Sequence, residues 1–594
     1  MLICQNYMSK EVFLDVECYP NYFLICFKSN IKNRFYEITD TSVLNYAEIS
    51  TIMNNYLTIG FNSKNYDLPM IAYALTGTNC KQLKEFSDQI ITSKKPSWEI
   101  CRDYNIQIPV KWDHIDIIEP APSVHVSLKM YGARMHTKIL QDLPYEPESF
   151  IEDKDHNIIK EYCLNDIDIT IELYNAIKNR IELREKIGKI YNLELRSKSD
   201  AQVAEAIIKN LLGIKSYNNI VDQEKTYSYT PPHFVKFEDK ELSDFLNELQ
   251  KIEFKCNERG ALIKEKEFKH KIKINDVIFS LGIGGLHSNE KHQAIIAAED
   301  EFLTDIDVVS YYPSIILNNN YYPTKLGINF LTLYKKFYTE RIKAKENNDK
   351  LKSDTYKIIL NGSFGKFGSR FSSLYSPNLL LHTTLTGQLS LLMLIEELNL
   401  QGFNVVSANT DSITIKGKKN RIEKFDHVLK TWEDLTKFKL EKSNYKAIYH
   451  ESVNSYIGIL EDNTVKCKGL YALEGLVKNP VSTVCIEAVI EYLQNKVEIE
   501  DTIFKNKNDI RKFLIIRKVE GGAIFKDKYL GRIVRWYYSR EGDKITYKKN
   551  GNKVADSDGG MPIMILDDIN RNDIDFQKYI DKAYKMLKNL GVKC

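Results

Sequence analysis

The run Val405-Val406-Ser407-Ala408-Asn409-Thr410-Asp411-Ser412-Ile413-Thr414-Ile415 reads as two β-strands folded back on each other with an acid at the bend. A carboxylate in that position projects clear of the sheet. About a hundred residues earlier, Glu301–Tyr312 is a second strand-like run, with Asp307 towards its end. Alternation along a strand puts Asp305 and Asp307 on one face and Ile306 and Val308 on the other. Tyr312 follows Asp307 by five residues, and Pro313 then stops the run. A lone aspartate at a strand end is usually a turn or capping residue. Here Asp411 offers Asp307 a partner.

Two helices are predicted between these acids, at about 330–347 and 352–365, joined by Asn347-Asn348-Asp349-Lys350 as an antiparallel hairpin. Lys357, Asn361 and Phe364 stand at i, i+4 and i+7, hence on one face, and Arg341 and Lys345 repeat the i, i+4 spacing. Helix by helix these are solvated amphipathic faces. Set beside two carboxylates they form a triphosphate clamp. Separated acids plus helix-borne cations are what metal-assisted phosphoryl transfer from a nucleotide requires.

A second acidic set lies near the N-terminus. Val12–Glu17 and Tyr22–Phe27 read as a strand pair, and helices are predicted at Tyr66–Leu75 and Ile158–Arg184. Asp15 and Glu17, at i and i+2, share one side of a strand. Asn62-Ser63-Lys64-Asn65-Tyr66-Asp67 adds an acid after an apolar run, and Tyr162 and Asp166 stand four apart on a helix. Each pattern alone is common by chance.

At 594 residues the chain is too long for one core, and three or four domains are expected. A net charge of +3 argues neither for nor against a nucleic-acid partner. Residues 505–553 are different, with fifteen Lys/Arg against five Asp/Glu and Trp536, Tyr537 and Tyr538 among them. A solvated basic face is the simple reading, and a phosphate-tracking surface gains ground if the acidic sites are real. The ten cysteines form no CxxC pair and no Cys/His cluster at zinc spacing. No apolar run reaches eighteen residues and the N-terminus lacks a signal-type succession, so a reducing, cytoplasmic setting away from membranes is expected. Gly284 and Gly285 lie in a glycine-dense stretch that marks a close backbone approach or simply a tight turn.

Asp307–Pro313, Lys357–Gly365 and Asn409–Ser412 resemble the three polymerase motifs of family B DNA polymerases, Dx2SLYP, Kx3NSxYG and DTDS. The resemblance implies that Asp307 and Asp411 hold the catalytic metals and that Tyr312 is a steric gate against the ribose 2′-hydroxyl. Lys357 and Asn361 would contact the incoming nucleotide, with Arg341 and Lys345 on its phosphates. Tyr311, Gly362 and Phe364 replace Leu, Ser and Tyr of the pattern, and Asn409 stands where the family usually has Asp. The N-terminal acids resemble the Exo I, Exo II and Exo III motifs of proofreading nucleases. By that similarity Asp15, Glu17, Asp67 and Asp166 bind two metals, Tyr162 orients the attacking water, and Asn62 and Tyr66 hold the frayed primer end. Lys129 and Lys138 both lie where relatives place a basic helper. Gly284 and Gly285 fall at a glycine motif linking the two activities. Tyr456, Lys466 and Lys468 resemble the segment that steadies duplex DNA, with Asn454 where Lys is expected.

The expected fold is a mixed α/β and α+β multidomain chain: an RNase H-like 3′→5′ exonuclease domain and a right-hand polymerase. Its parts would be exonuclease 1–188, a connecting region 189–295, palm 296–329, fingers 330–370, palm 371–462 and thumb 463–594. The implied function is template-directed DNA synthesis with proofreading by a phage-type replicase, using Mg2+ or Mn2+, two ions per site. Its partners would be primer–template DNA, deoxynucleoside triphosphates and single-stranded DNA, on a monomer that accessory replication proteins could join. The intervals 307–357 and 361–411 are both 50 residues and leave no room for a large insertion, so priming by an ordinary nucleic-acid end is expected. The alternatives are a nuclease-dominated repair enzyme and a non-catalytic DNA-binding replication factor.

Overall fold

Alternating apolar residues build the first layer. In Glu11–Tyr19, Val12, Leu14 and Val16 face one core, whereas Phe13 and Tyr19 face another. The computed structural model describes residues 11–123, 126–215, 221, 224–263, 270–473 and 475–593. Its first sheet runs in the order Asn33–Ile38, Tyr22–Lys28, Glu11–Tyr19, Leu57–Gly60, His114–Asp116. The first three strands are antiparallel and the last two run parallel to Glu11–Tyr19. Helices Tyr46–Asn55, Asp67–Ala74 and Cys80–Thr92 cover the Val12 face. The other face packs on the 36-residue helix His156–Tyr191, about 54 Å long at 1.5 Å per residue.

The central unit is a ten-stranded sheet. Glu301–Val308 lies within it, between Ser412–Lys418 and Leu440–Ser452, antiparallel to both. Helices Pro377–Leu400 and Ile422–Thr436 bury one face. Pro377–Leu400 is long and apolar enough to cross a membrane, but it is buried along most of its length in this core. The predicted hairpin is Gly327–Glu346 and Lys350–Lys366, packed with Asp200–Leu212. The C-terminal unit is a four-stranded sheet centred on Ile515–Phe525 and Lys528–Asp543, with helices Thr483–Asn495 and Phe576–Asn589. The molecule is thus a mixed α/β, multidomain protein. Among the described residues the eight cysteines are all free.

Two expectations are corrected. The strand ends at Val308, not Tyr312: Ser310 takes a left-handed conformation (φ 50°) and a helix, Tyr311–Asn318, begins at once. Pro313 sits in its first turn, where its missing N–H is not needed, so it does not stop the segment. Secondly, Trp536, Tyr537 and Tyr538 do not line a basic surface. They are buried in the C-terminal core, and Arg535 is buried with them. The charges, among them Lys518, Lys528, Arg532 and Lys548, face outward.

Candidate active sites

The central acids are brought together by strand register. Asp307 lies opposite Ser412, and the next residue's N–H, that of Val308, donates to the Asp411 carbonyl at 2.8 Å. Thr410 turns the hairpin at φ 60°, and the Asp411 N–H donates to the Asn409 carbonyl at 2.7 Å. Burial raises the Asp411 carboxyl above its ordinary range, and Asp307 raises it further. Asp305, two residues back on the same face, is buried and accepts from the Thr414 hydroxyl at 2.9 Å. Burial, then Asp307, pushes it up to about 6. It is a third carboxylate beside the pair; its position on the Asp307 face was visible in the sequence, its burial was not. Lys466 lies 3.9 Å from Asp305, and both Lys466 and Lys468 lower Asp411. Gly285 allows the tight approach here, since a Cβ would meet Thr410 Oγ1 at 2.5 Å; at Gly284 there is open space.

A cavity of about 410 Å³ opens beside Asp411, lined by Ser310 to Pro313, Arg341, Asn361 and Phe364. Tyr312 stacks on Phe364, centroids 4.0 Å apart and planes within 13°. Arg341 donates to the Ser310 hydroxyl at 2.8 Å, and its Nε is buried without a partner. Lys345 and Lys357 are exposed and are not among the residues lining this cavity. Gly362 stands where the hairpin crosses Asp200–Leu212; a Cβ would lie 2.5 Å from the Asp200 carbonyl. Its departure from serine is therefore a packing requirement. Tyr456 is buried, stacked on His450, with the Lys468 ammonium 5.7 Å over its ring.

On the first sheet, Asp15 and Glu17 point with Phe13 and Tyr19 towards the long helix, which supplies Tyr162, Cys163 and Asp166 from successive turns. Ligand atoms of Asp15, Glu17 and Cys163 lie within 4.8 Å of one another. Asp67 joins them from the first turn of its helix. Burial raises Asp15, with Asp67 adding repulsion, and raises Glu17, with Asp166 adding repulsion. Asp67 is pushed up to about 7 and Asp166 to about 6, burial leading in both. The Lys129 ammonium sits 4.7 Å over the Tyr162 ring and lowers both Glu17 and Asp166. Lys138 instead pairs with Asp567 at 2.9 Å. Geometry thus separates the two lysines that sequence could not.

Asp116, which sequence reasoning missed, shapes the adjoining loop. Its carboxylate accepts backbone N–H bonds from Asn62 (2.9 Å), Lys64 (2.9 Å) and Ile118 (3.1 Å). Asn62, at φ 59°, is held in place by this contact, and the Tyr66 hydroxyl is hydrogen-bonded to Ser87 at 2.7 Å. Both clusters have the donors of a hard-cation site. In the N-terminal one, Asp67 Oδ1 and Asp166 Oδ1 are buried without a hydrogen-bond partner, and four carboxylates, Asp67 buried and the other three half-buried, repel one another. An oxygen-seeking divalent cation satisfies both conditions.

No family model matches the chain. A protein of Marchantia polymorpha named "Uncharacterized mitochondrial protein ymf34" is 44% identical over 62 residues, which make up 10% of this chain and 80% of that protein. The chain belongs to the family of that protein. Its printed name states no activity. Among solved structures, the family B DNA polymerase from the hyperthermophilic archaeon Pyrobaculum calidifontis aligns over 98% of this chain and 78% of its own, with 12% identity and a TM-score of 0.39.

Proposed function

We propose that this protein is a template-directed DNA polymerase of the family B type, with 3′→5′ proofreading, serving a phage or related mobile element. The observation that carries the reading is the pair of separate carboxylate clusters, one beside a cavity lined by Tyr312, Arg341 and Asn361, the other facing Tyr162 and Lys129. In this reading the N-terminal unit is the RNase H-like exonuclease, the central sheet the palm, the helical hairpin the fingers and the C-terminal unit the thumb.

Asp307 and Asp411, with Asp305 behind them, would hold Mg2+ at the synthetic centre, and Asp15, Glu17, Asp67 and Asp166 at the trimming centre. The ions would activate the attacking oxygen and offset charge on the leaving group. The protein's own work is positioning. Arg341, which lines the cavity, is placed to bind a triphosphate oxygen, and Asn361 to contact the nucleotide. Tyr312, fixed against Phe364, narrows the space beside the sugar. In the N-terminal site Tyr162 orients the attacking water, and Lys129 offsets the negative charge around it. A mispaired end reaches that site most cheaply because it is already unstacked.

Extension of a labelled primer on a single-stranded template with Mg2+, read at nucleotide resolution, tests this reading. Growth with deoxynucleotides and shortening without them are expected. Shortening alone would leave a nuclease, and no change a binding factor.

A further inference from the structure

A cavity of about 570 Å³ lies away from both acid clusters, between the end of helix Leu128–Arg134, residues 472, 473 and 475–483, and residues 509–512. Among the described residues its lining carries four cations, Arg134, Lys478, Arg511 and Lys512, against two acids, Glu487 and Asp509, an excess of two (4 − 2). Lys512 is matched by Glu487 at 2.8 Å. Among the described residues the other three cations have no carboxylate within ion-pair distance. Arg134 donates to the Asn479 side-chain oxygen at 2.8 Å and to the Leu476 carbonyl. Lys478 is half-buried and, among the described residues, donates to the carbonyls of Leu470 and Ala472.

A polar group buried without a partner points the same way. His136 Nδ1 is shut from solvent and makes no hydrogen bond. Its imidazole is kept neutral, with burial and then Arg535 and Arg511 holding it down to about 4. Arg535 itself spends its guanidinium on the carbonyls of Thr137 (2.7 Å), Ile563 (3.1 Å) and Met564 (3.0 Å). Cations that face a cavity without counter-charges keep their desolvation cost until an anion arrives. Much of the remaining wall is apolar, including Leu473, Leu476, Val481 and Ile486. An inorganic anion would use little of that volume or wall, whereas small-molecule sites of about 300–1,000 Å³ combine apolar surface with a few placed polar groups.

We propose that this cavity is a binding site for a phosphate ester of mononucleotide size, with the phosphate at Arg134, Lys478 and Arg511 and the base against Leu476 and Val481. The ester is either a free nucleotide or one unit of a single strand. Helix Leu128–Arg134 links the cavity to the N-terminal acids, since Lys129 near its start lies over Tyr162 and Arg134 ends it. The five-residue step from one to the other rises about 7.5 Å.

The test uses the full chain in EDTA, so that metal-dependent binding at the acid clusters is silent. Radiolabelled dAMP is measured by equilibrium dialysis, and a short oligothymidylate carrying 5-iododeoxyuridine by photocrosslinking to the 472–483 peptide. Lys478→Gln and the exposed Arg511→Gln should each weaken dAMP binding or crosslinking at least tenfold, while Asp15→Asn and Asp411→Asn leave both unchanged. Loss in the dAMP arm identifies a free nucleotide, and loss confined to the crosslink identifies a strand. Either supports the site. Absence of saturable dAMP binding and of crosslinking in the unmodified protein overturns it, as does binding and crosslinking at the parent's level in both cavity variants.

Discussion

Asn409 donates its side-chain amide to the Asn454 side-chain oxygen at 3.1 Å and to the Val453 carbonyl at 3.2 Å. These two asparagines are positions at which the chain departs from the polymerase motifs it resembles, one replacing an acid and the other a lysine. The departures meet in space. A neutral amide contact ties the acid-bearing hairpin to the turn that follows strand Leu440–Ser452, and Asp305 lies as a third carboxylate beside Asp307.

Asn409 is therefore expected to position rather than to ligate. Asp411→Asn should abolish primer extension, whereas Asn409→Ala should keep measurable activity and lose about 1 kcal/mol of stability with its hydrogen bonds. Asn409→Asp removes the donor to Val453 and should destabilise more, with Asn454→Lys added in the same chain restoring part of the loss. Thermal melts and single-nucleotide incorporation read both. Equal loss of extension in Asp411→Asn and Asn409→Ala would refute the ranking.

Tyr312 is braced by the ring of Phe364, and this bracing should matter for sugar selection. Tyr312→Ala is expected to relax discrimination against ribonucleotides by tenfold or more, about 1.4 kcal/mol in relative transition-state free energy. Phe364→Ala should act in the same direction but more weakly, because the gate remains while its support is gone. Ratios of kcat/KM for deoxy- and ribonucleotides decide it. Unchanged selectivity in Tyr312→Ala would remove this residue as the gate.

Much of this was legible from short-range patterns. Asp15 with Glu17 and Tyr162 with Asp166 are set by strand and helix periods, and those periods hold in the structure. What escaped depended on distant partners. Asp116 is one acid in an ordinary stretch, and its role comes from three backbone N–H groups that only the folded loop aims at it. The choice of Lys129 over Lys138 rests on which side of helix Leu128–Arg134 meets Tyr162. Trp536 was misread because a basic neighbourhood along the chain says nothing of which strand face is covered. Gly362 replaces the Ser of the pattern for a reason only the fold shows, the Asp200 carbonyl against it.

Lys129 should serve trimming and not synthesis. Lys129→Met removes the cation over Tyr162 and is expected to lower single-strand degradation about 10²-fold, the lower end of what a positioned acid–base or electrostatic group supplies. Extension by the same variant should stay within about twofold of the parent. A parallel fall in both activities would show a folding defect instead.

The N-terminal acids should also leave a mark on stability. Asp67, near 7, and Asp166, near 6, sit above the usual carboxylate range, so the folded state holds protons that the unfolded chain has released. Their contribution is present at low pH and is lost as pH rises from about 4 through those values. Without divalent ions the protein should therefore melt lower at pH 8 than this pair alone would allow at pH 5. Mg2+ should raise the melting temperature at pH 8, and Asp67→Asn should be more stable than the parent in EDTA while losing the Mg2+ response. A Mg2+ shift that survives in Asp67→Asn would dissociate this residue from the ion.

His114 acts with the opposite sign. Its ring is buried between the Thr58 hydroxyl (2.8 Å) and the Ser63 hydroxyl (2.7 Å), and burial holds its pKa down to about 3 against the ordinary 6.5. Between those values the unfolded chain is protonated there and the folded chain is not. Stability therefore falls as pH drops through that window, by roughly 1.4 kcal/mol per unit once well below 6.5. The difference in unfolding free energy between the parent and His114→Gln isolates this residue from the acids, whose dependence runs the other way. Denaturant titrations at pH 7 and pH 5 should show the parent losing more stability than the variant. If the two fall in parallel, His114 is protonated in the folded protein over this range.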